Sequence, residues 1–595
     1  MSGQPHVTTL GDLHAELLTR LATGGDRKLL AQVCRALGEA REEGDVCIDL
    51  AAWCSAPAGE HEARRPDLAA ARDGLLATGV ISPEGGDEPR LPLVLDDHDR
   101  LYTLRHFRAE RRIARFVDER LARPPSCTPG HVHETLAALS MLPHADSDEP
   151  DWQLAAVVAG STRALTVLCG GPGTGKTTTV AKLMSALLHD HPDLRVAVAA
   201  PTGKAAARLG EALAARAAER PELGALLREL EPQTLHRMLG YVPFDDRFRY
   251  GSDRPLPYDL VVIDEVSMAD APQFAARCDA LAPDTRLVLV GDKNQLAAVA
   301  AGQILGDLTY AARPERGLGD ELAGFVRAAT GMQVPAQTDG APIANATVSL
   351  RKNHRFRGDS AIGAFAAALV ERDPEGALAA ISSGREDLAL TDDPELALRE
   401  FLPQLEQLLV AAAAGDAERA LAAVQHARVL TAMRLGPTGA RRWNEQIEQA
   451  LSSRGHRLDE TYYVGRPILI TANDQGNRVW NGDLGVCGRR DGEPVVWLRD
   501  PRGEARALNP RRLPAHETAW AMTVHKAQGS EFEHVLVVLP DQPSPLNHAS
   551  LVYTGVTRAR RRATICASSP VLEESLRRWP SRRSGLAEIL SRRDP

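Results

Sequence analysis

From about residue 165 onward, short apolar runs alternate with longer stretches in which apolar residues recur at helical spacing. Runs that are apolar throughout are typical of parallel strands buried on both faces. The first such runs, each followed by a polar motif, are LTVLC (165–169), RVAVAA (195–200), DLVVID (259–264) and RLVLVG (286–291). Because ligands of open parallel sheets bind beyond the carboxyl ends of the strands, the pattern predicts a nucleotide site where these runs end.

A second series of apolar runs later in the chain predicts a second α/β domain. Its members are RVLTAM (428–433), RPILITA (466–472), HVLVVLP (534–540) and RATICAS (562–568). Residues 308–346, between the two series, are rich in Ala, Gly and Pro with little periodicity, which is typical of an inter-domain connection. The sequence therefore predicts parallel-sheet domains over residues 116–344 and 345–595, preceded by a helical domain over residues 1–115 that carries no recognisable chemistry.

Two insertions break the α/β pattern. YVPFDDRFRYGSDRPLPYD (241–259) alternates aromatic and polar residues around Gly251, which predicts a β-hairpin projecting from the first domain. GVCGRRDGEPVVWLRDPRGEARAL, which starts at residue 485, has short apolar stretches separated by Asp-Gly and Arg-Gly. We expect a small β-barrel there, inserted in the second domain over about residues 485–515.

Composition and charge exclude two broad classes of protein. With 44% hydrophobic and 25% charged residues, the 595-residue chain has the balance of a soluble globular protein of three or four domains. No stretch approaches about 18 uninterrupted apolar residues and the start has no basic leader, so we expect a cytoplasmic protein without a membrane segment. The net charge of −9 excludes a bulk polycation, so any nucleic acid must bind in a local channel.

Two features leave alternatives open. The eight cysteines are scattered without a C-x-x-C pair. We expect reduced, mostly buried thiols, with a zinc or iron–sulfur site at Cys34, Cys47, Cys54 and Cys127 as the alternative. Residues 558–593 contain ten arginines, which form either a solvated helix surface or a binding region.

Lysine is rare here, since 63 of the 70 Lys and Arg residues are arginine. Six of the seven lysines nevertheless fall in five short polar motifs: GGPGTGKTTTVAK, APTGKAAARL, GDKNQLAAV, LRKNHRF and MTVHKAQGSEF. A chain biased toward Arg keeps Lys mainly where a compact ammonium is needed, and these motifs indicate phosphate chemistry. Within them, we interpret Lys182 as a helix-surface charge and Lys352 as a neighbour of the more important Arg355.

The segment GGPGTGKTT predicts a phosphate-binding loop, because it matches G-x-x-x-x-G-K-[ST] between a predicted strand and a predicted helix. Its glycines allow backbone N–H groups to surround the phosphates of ATP, Lys176 can reach the β and γ oxygens, and Thr177 can ligate Mg²⁺. The predicted nucleotide-binding residues of this loop are Gly170, Gly171, Pro172, Gly173, Thr174, Gly175, Lys176, Thr177 and Thr178.

Further polar residues supply what ATP hydrolysis requires. At the end of VVIDE, Asp264 would hold Mg²⁺ through water and Glu265 would deprotonate the attacking water, the alternative being an acidic pair at a helix start. Gln295 after the next strand could sense the γ-phosphate. Arg355 and Arg558, both from the second domain, are candidate cations for the developing charge. A site that draws on both domains predicts a motor that closes on ATP and opens after hydrolysis.

Taken in order along the chain, the motifs resemble those of superfamily 1 DNA helicases, which implies two RecA-like motor domains. The motifs are DWQLAAV, GGPGTGKTTT, PTGKAAARL, TLHRMLG, VVIDEVSM, GDKNQLAAV, LRKNHRF, NGDLGV, AMTVHKAQGSEF and LVYTGVTRAR. DEVSM and TVHKAQGSEF resemble the 5′-to-3′ branch, and within it the chain is most similar to the RecD family, the alpha subunits of exodeoxyribonuclease V. Residues 92–114, 431–451 and 582–590 carry this narrower resemblance outside the motor motifs.

The resemblance assigns further residues. It implies that Gln153 reads adenine and that Glu531 touches the nucleotide. The residues that it places along a single-stranded DNA track are Pro201, Thr202, Lys204, Thr234, His236, Asn294, Thr523, His525 and Lys526. Short polar side chains and backbone amides hold phosphates without reading bases, so this set suits translocation at any sequence.

The resemblance also implies partners: RecB-like and RecC-like subunits of a trimer that acts on duplex ends and 5′-ended single strands in double-strand break repair and homologous recombination. Residues 1–115 would bind a partner. The sequence contains no D…E-x-K cluster, so we expect the nuclease in another subunit. A free-standing 5′-to-3′ helicase is the first alternative, although such relatives carry a longer N-terminal extension. A phosphate-loop subunit that does not translocate is the second.

Overall fold

The computed structural model describes residues 9–57, 65–85, 90–143, 149–219, 230, 232–242, 247–298, 300–356, 358–474, 476–500, 503–542 and 544–592. Over these residues the main sheets are two parallel sheets, one antiparallel sheet and a small N-terminal sheet. None of the helices in these ranges is long and apolar enough to cross a membrane.

The N-terminal region combines helices with a sheet, so the prediction of a helical domain is only partly correct. Its helices are α1 (Leu10–Leu21), α2 (Arg27–Glu42), α3 (Leu50–Ser55) and α4 (Leu68–Leu76), and its strands are β1 (Cys47–Asp49), β2 (Ile81–Pro83), β3 (Leu93–Leu95) and β4 (Arg100–Thr103). The strand order is β1-β4-β3-β2. Strands of three or four residues are too short for an alternating pattern to show in the sequence.

The first large domain is built on a six-stranded parallel sheet. Its strands are β5 (Leu165–Gly170), β6 (Val196–Ala200), β7 (Gln233–Thr234), β10 (Leu260–Ile263), β11 (Arg286–Gly291) and β14 (Thr347–Leu350). They pair in the order β14-β5-β11-β10-β6-β7. The four predicted strands are present with ends within one residue of the prediction, because each is buried along its length.

Helices cover both faces of this sheet and enclose two hydrophobic cores. They are α5 (Leu104–Leu121), α6 (Pro129–Ala138), α7 (Trp152–Thr162), α8 (Lys176–Asp190), α9 (Gly203–Glu219), α10 (Leu235–Met238), α11 (Ala271–Asp279), α12 (Ile304–Ala312) and α13 (Asp320–Thr330). The nucleotide motifs follow β5, β10 and β11 at one edge of the sheet, as the pattern predicts.

Two predictions about the domain boundary are wrong. Residues 308–346 are not a loose connection: they include most of α12 and all of α13, with the strand pair β12 (Leu318–Gly319) and β13 (Ala336–Gln337). Leu322 and Val326 of α13 are fully buried in the first domain, which the surrounding Ala and Gly residues conceal in the sequence. The predicted boundary at 344/345 is also too early, since β14 pairs with β5.

The second large domain contains a five-stranded parallel sheet. Its strands are β15 (Leu388–Thr391), β16 (Ala427–Thr431), β22 (Ala521–Thr523), β23 (Phe532–Val538) and β24 (Ala559–Cys566), in the order β15-β24-β23-β16-β22. The helices of this domain are α14 (Ala361–Val370), α15 (Pro374–Ile381), α16 (Pro394–Ala413), α17 (Ala417–Ala423), α18 (Ala440–Ser453), α19 (Ala549–Val556) and α20 (Ser569–Arg577). Three of the four strands predicted for the second domain lie in this sheet.

The fourth predicted strand, residues 466–472, belongs instead to an antiparallel sheet. The sheet comprises β17 (Pro467–Ile470), β18 (Leu484–Arg490), β19 (Glu493–Arg499), β20 (Ala505–Leu508) and β21 (His516–Thr518), in the order β20-β19-β18-β17-β21. The predicted barrel at about residues 485–515 is therefore a wider, open sheet, since no pairing among the described strands joins β20 to β21. β17 reads like a parallel strand because all four of its residues are buried.

The predicted hairpin at residues 241–259 is present only at its start. β8 (Tyr241–Val242) pairs antiparallel with β9 (Arg247–Phe248), and the four residues between them lie outside the described ranges. Beyond β9, only a single bridge between Gly251 and Arg254 is formed. The hairpin therefore ends before Gly251, around which the sequence pattern had centred it.

The Arg-rich C-terminal region returns to the first domain. After α20, the chain leaves the second domain and ends in α21 (Leu586–Ser591), whose Leu586 and Leu590 are buried in the core of the first domain. Arg582 Nη1 donates to the carbonyl oxygens of Ala300 (3.0 Å) and Gly302 (2.9 Å). Residues 580–592, which we call the strap, therefore pack against the first domain, a structural role that neither alternative for this region included.

The cysteines are structural thiols. All eight are free, and burial raises the pKa of the Cys34 and Cys278 thiols to about 12. Within the described ranges, no group of three His, Cys, Asp or Glu side chains is placed to hold a metal ion. The geometry therefore gives no support to the zinc or iron–sulfur alternative.

Candidate nucleotide and DNA site

The phosphate loop lies between β5 and α8, as the motif predicts. Gly173 (φ 80°) and Gly175 (φ 84°) are in the left-handed region, which favours glycine. Gly175 is the N-cap of α8 and has no side chain that could accept a hydrogen bond from the helix, so the first N–H groups of the helix stay available for an anion. A Cβ on Gly173 would lie 2.5 Å from Arg355 Cβ, which makes this glycine sterically necessary.

Lys176 and Thr174 are held by the loop's own carbonyl groups. Lys176 Nζ donates to the carbonyl oxygens of Gly170 (2.8 Å) and Gly171 (3.0 Å), and Thr174 Oγ1 donates to that of Gly171 (2.8 Å). In the first turn of α8, Thr177 is half-buried and Thr178 is exposed. The ammonium of Lys176 is therefore fixed beside the loop.

Gln153, predicted to read adenine, lies against the same loop. Its Nε2 donates to the carbonyl oxygen of Thr174 at 3.2 Å, and its Oε1 accepts a hydrogen bond from Lys182 Nζ at 2.9 Å. Our interpretation of Lys182 as a helix-surface charge is therefore wrong. Its place one and a half turns into α8, facing α7, was the signal that could have identified it as a partner of Gln153.

Asp264 and Glu265 follow β10 and lie beside the loop. Glu265 has φ 53°, an unusual value for a non-glycine residue and one often found at functional sites. Asp264 Oδ1 accepts a hydrogen bond from Glu265 N at 2.8 Å. Burial, together with the neighbouring Glu265, raises the pKa of Asp264 well above its usual value, against the opposing charge of Lys176. Glu265 Oε2 is buried without a hydrogen-bond partner.

Gln295 also presents an unsatisfied atom. Its Nε2 donates to Asp292 Oδ2 at 3.2 Å, while its Oε1 is buried and has no partner. Burial raises the pKa of Asp292, and the charge of Lys176 opposes that shift. Buried unpartnered oxygens such as Glu265 Oε2 and Gln295 Oε1 are costly unless something binds them, so the site is suited to a ligand with donor groups or a cation.

Of the two candidate arginines, Arg558 follows α19 of the second domain, whereas Arg355 lies in the segment between β14 of the first domain and α14 of the second, so its predicted place in the second domain is only partly correct. Arg355 pairs with Glu531 and its Nη1 donates to the carbonyl oxygen of Thr557 at 3.4 Å. Arg558 is buried, and its Nε donates to the carbonyl oxygen of Thr554 at 3.1 Å. Burial lowers the pKa of Arg355, which still carries its charge at neutral pH because an arginine titrates far above that range.

Glu531 forms ion pairs with both Arg208 and Arg355. Burial would raise its pKa, but Arg208 at 2.5 Å and Arg355 overcome that effect and hold the pKa well below the usual range. Sequence reasoning missed Arg208, although it lies in the motif APTGKAAARL. It also missed that the motif LRKNHRF closes over the phosphate loop, where Asn353 Nδ2 donates to the Pro172 carbonyl at 2.9 Å.

That contact lies at the start of the segment that joins the two domains, directly after β14. The backbone N–H of His354 donates to the carbonyl oxygen of Gly173 at 2.7 Å, and Arg355 follows directly in the chain. The phosphate loop of the first domain and the loop that carries Arg355 are therefore in direct contact. Because Arg355 also pairs with Glu531 of the second domain, residues of both domains meet beside the phosphate loop.

The first-domain part of the predicted DNA track lies at the ends of β6, β7 and β11. Pro201 and Thr202 follow β6, and Thr234 caps α10 by accepting a hydrogen bond from Arg237 N at 3.3 Å. The His236 ring packs edge-on against Tyr241 of β8, with centroids 5.6 Å apart. Asn294 is buried in the loop after β11. The side chain of Lys204 lies outside what the structure describes.

The second-domain part lies at the end of β22. Thr523 Oγ1 accepts a hydrogen bond from Lys526 N at 3.4 Å, and Lys526 Nζ donates to Glu517 Oε1 at 2.5 Å. Burial, and then the charge of Arg582 in the strap, lower the pKa of His525, so this ring is neutral at physiological pH. The two parts of the track are therefore built on equivalent edges of the two parallel sheets.

A cavity of about 630 Å³ lies next to this track, between α9 and the antiparallel sheet. Gly203, Arg208 and Thr234 line it from the first domain, and Trp480 and Glu531 from the second. Arg208 Nη1 donates to the carbonyl oxygen of Gly529 at 3.1 Å, which closes one side. Like the nucleotide cleft, this cavity therefore has walls from both domains.

Two protein families match separate parts of this chain. A family described as "AAA domain" matches residues 153–301, and one described as "UvrD-like helicase C-terminal domain" matches residues 518–566. RecBCD enzyme subunit RecD of Mycolicibacterium smegmatis is 38% identical, and the match covers 97% of this chain and 97% of that protein.

Two more distant proteins are also similar. The ATP-dependent RecD2 DNA helicase of Deinococcus radiodurans is 32% identical over 78% of this chain and 54% of its own length. A crystal structure of Pif1 helicase from Bacteroides with ADP-AlF3 and single-stranded DNA matches 69% of this chain and 90% of that chain, with 16% identity and a TM-score of 0.35.

Proposed function

Because this chain belongs to the RecD family of RecBCD enzyme subunits, we propose that it is the ATP-driven 5′-to-3′ DNA translocase of a RecBCD-like enzyme. It is an ATP-dependent DNA helicase. The observation that carries the mechanism is that Arg355, in the segment that joins the two domains, lies against the phosphate loop of the first domain and pairs with Glu531 of the second. A nucleotide bound there would touch both domains, so its hydrolysis can move one relative to the other.

The geometry supports the following hydrolytic roles. The Lys176 ammonium faces the β- and γ-phosphates of ATP, which bind at the start of α8. Glu265 Oε2 takes the proton of the attacking water, and Gln295 Oε1 accepts the second hydrogen bond of that water. Both oxygens are buried without a partner, as acceptors that wait for a donor would be. Arg355 and Arg558 neutralise the charge that develops on the γ-phosphate.

Glu531 controls when Arg355 is available. Its carboxylate pairs with Arg355 and with Arg208, so these arginines are neutralised within the protein. We propose that phosphate oxygens replace Glu531 as the partner of Arg355 when the cleft closes. Gln153, held by Lys182 and the Thr174 carbonyl, reads the adenine ring.

The residues present also fit Mg²⁺. Thr177 supplies a hydroxyl oxygen and Asp264 a carboxylate, which are ligands that this cation prefers. The Asp264 carboxyl, whose pKa burial raises, and the unpartnered Glu265 Oε2 support the proposal of a cation there. When bound, the cation would offset charge on the phosphate oxygens. Thr177 and Asp264 are therefore the proposed ligands.

The proposed DNA track runs across the ends of both sheets. It consists of Pro201, Thr202, Lys204, Thr234, His236 and Asn294 from the first domain and Thr523, His525 and Lys526 from the second. These are short polar groups and a few cations, which suit contacts to the phosphate backbone at any sequence. The 5′-to-3′ direction is proposed from the resemblance of DEVSM and TVHKAQGSEF to that branch of helicases.

We further propose that the chain works with RecB-like and RecC-like subunits on duplex ends, in double-strand break repair and homologous recombination, in the cytoplasm. The name of the Mycolicibacterium smegmatis relative supports the trimer, while the Deinococcus radiodurans relative supports the alternative of a free-standing helicase. A subunit that does not translocate is disfavoured, because Glu265, Gln295, Arg355 and Arg558 are all retained.

The direction of translocation is tested with two duplexes that differ only in having a 5′ or a 3′ single-stranded overhang. We expect the purified protein to unwind the 5′-tailed duplex preferentially, and the Lys176→Ala variant to unwind neither. Preferential unwinding of the 3′-tailed duplex would overturn the proposed direction. Purification of the tagged chain from its native host separates the trimer from the free-standing alternative, since only the trimer retains RecB-like and RecC-like partners.

A further inference from the structure

Tyr553 and Asp292 meet at the boundary between the two large domains and have no part in the steps above. Tyr553 lies on α19 of the second domain, and Asp292 follows β11 of the first. Tyr553 Oη donates to Asp292 Oδ2 at 3.0 Å, and each side chain is 1% exposed. A hydrogen bond so well shielded from water, between two domains that must move, needs a reason beyond packing.

Asp292 also accepts hydrogen bonds from two candidate functional residues. Its Oδ1 accepts a hydrogen bond from the backbone N–H of Asn294 at 2.9 Å, and its Oδ2 accepts one from Gln295 Nε2 at 3.2 Å. Because Asp292 holds Nε2, the opposite amide atom of Gln295, Oε1, is turned away and left unpartnered. The direction of Gln295 therefore depends on Asp292, and so does the backbone at Asn294 of the proposed DNA track.

Tyr553 also touches the phosphate loop. A Cβ added at Gly171 would lie 3.0 Å from Tyr553 Oη, closer than an ordinary contact, so the hydroxyl lies directly against this glycine. The carbonyl oxygen of Gly171 accepts the hydrogen bond from Lys176 Nζ. Burial, and then the nearby Asp292, hold the pKa of Tyr553 well above its usual value, so its hydroxyl remains a donor.

The rest of this interface does not depend on the Tyr553 hydroxyl. Leu296 N donates to Thr554 Oγ1 at 2.9 Å, and Gln528 Nε2 donates to the Leu296 carbonyl at 2.7 Å. Arg558, one turn beyond Tyr553, is held by the Thr554 carbonyl. Removal of one hydroxyl should therefore leave the two domains joined and change mainly the environment of Asp292.

We propose that Tyr553 is a positioning residue that acts through Asp292 to fix Gln295 in the nucleotide site and Asn294 at the DNA track. The proposal rests on the helicase function above. It adds that the hydrogen bond between Tyr553 and Asp292 makes both ligand sites depend on the position of the second domain. When the domains separate, the hydrogen bond breaks and Gln295 loses its fixed direction. Hydrolysis is thereby confined to the closed arrangement.

The test compares Tyr553→Phe, Asp292→Asn and the double variant in the native complex, by ATP turnover at saturating single-stranded DNA. We expect Tyr553→Phe to lower kcat by about 10-fold or more, as losses of supporting hydrogen bonds do, with the KM for ATP changed by less than about 3-fold. The double variant should be no slower than the slower single variant, because both changes interrupt one path.

A matched control is Tyr463→Phe. Tyr463 is another buried tyrosine of the second domain, whose hydroxyl donates to Glu448 at 2.7 Å and accepts from Trp520 Nε1 at 2.7 Å, away from the cleft. It should lose thermal stability as Tyr553→Phe does but keep the wild-type kcat. This comparison separates a lost buried hydrogen bond from a lost positioning contact.

Turnover by Tyr553→Phe within about 2-fold of wild type, or kcat losses that multiply in the double variant, would overturn the proposal. If Tyr553→Phe fails to assemble, Asp292→Asn alone decides, since it keeps the tyrosine and should show the same loss of kcat. Absence of DNA-stimulated turnover in the wild-type complex would instead contradict the proposed helicase function. The two failures are therefore distinguishable.

Discussion

Two pairs of carboxylates in this chain lie in different surroundings, although each pair includes a carboxyl whose pKa is raised. Asp264 and Glu265 follow β10 in the nucleotide cleft. Glu110 of α5 and Asp307 of α12 instead contact Ser584 of the strap. Burial raises the pKa of Asp264, of Asp307 and of Glu110, the last to about 7. A raised carboxyl pKa therefore does not by itself distinguish the cleft from the strap.

Hydrogen bonding does distinguish them. Ser584 Oγ of the strap lies 2.7 Å from Glu110 Oε1 and 2.9 Å from Asp307 Oδ2, and Gly585 N donates to Glu110 Oε2 at 3.1 Å. One hydroxyl hydrogen cannot serve both carboxylates, so a proton bound to one of them completes the cluster. By contrast, Glu265 Oε2 in the cleft has no partner. The satisfied pair is suited to holding the fold together, and the unsatisfied pair to binding a ligand.

The largest expected effect is that of Lys176→Ala, a change in the nucleotide cleft. It removes the positive charge that opposes the raised pKa of Asp264 and faces the phosphates. We expect DNA-stimulated ATP hydrolysis to fall by about 10³-fold, the upper range for the loss of one charge-stabilising donor. Steady-state hydrolysis with single-stranded DNA measures it, and hydrolysis near the wild-type rate would mean that the nucleotide binds elsewhere.

Glu110→Gln tests the carboxylate pair at the strap through the pH dependence of the protein's stability. A carboxyl whose folded pKa is about 7 instead of 4.5 binds a proton more tightly when folded, so its contribution to stability is lost as pH rises from about 4.5 to 7. The raised pKa corresponds to about 3 kcal/mol. The wild-type melting temperature should therefore fall more steeply over this range than that of Glu110→Gln. Parallel melting curves at pH 5 and pH 8 would contradict this account of Glu110.

Ser584→Ala should have the smallest effect. It removes the hydroxyl between Glu110 and Asp307, and the loss of a buried hydrogen-bonded group costs about 1–3 kcal/mol. We expect a lower melting temperature and ATP turnover within about 2-fold of wild type. Ser591→Ala is the control, because that hydroxyl also bonds within the strap, to the Ala587 carbonyl, but in an exposed position. A large loss of turnover in Ser584→Ala would mean that the strap takes part in the reaction.

The sequence allowed the cleft to be predicted far better than the strap. The residues of the phosphate loop, Asp264 and Glu265 are adjacent in the chain or directly follow buried strands, so local pattern was enough to place them. Glu110, Asp307 and Ser584 come from three distant segments, and no local pattern relates them. A contact between residues hundreds of positions apart is specified by tertiary packing alone.

Misassigned elements have the same origin. The four residues of β17 are apolar or Pro, a pattern that predicts a strand of the parallel sheet. All four are indeed buried, but β17 pairs with β18 and β21 of the antiparallel sheet. The N-terminal strands were missed because each is too short to show a period. Lys182 was read from its place on a helix surface, although the residue it contacts, Gln153, belongs to the neighbouring α7.

The central claim is that Glu265, and not the more deeply buried Glu110, performs chemistry. The most direct measurement is single-turnover ATP hydrolysis by Glu265→Gln and Glu110→Gln in the native complex with single-stranded DNA, alongside the affinity of each variant for a fluorescent ATP analogue. We predict that Glu265→Gln binds the analogue normally but hydrolyses ATP about 10²-fold more slowly, while Glu110→Gln hydrolyses within about 2-fold of wild type. Normal turnover by Glu265→Gln would contradict the account.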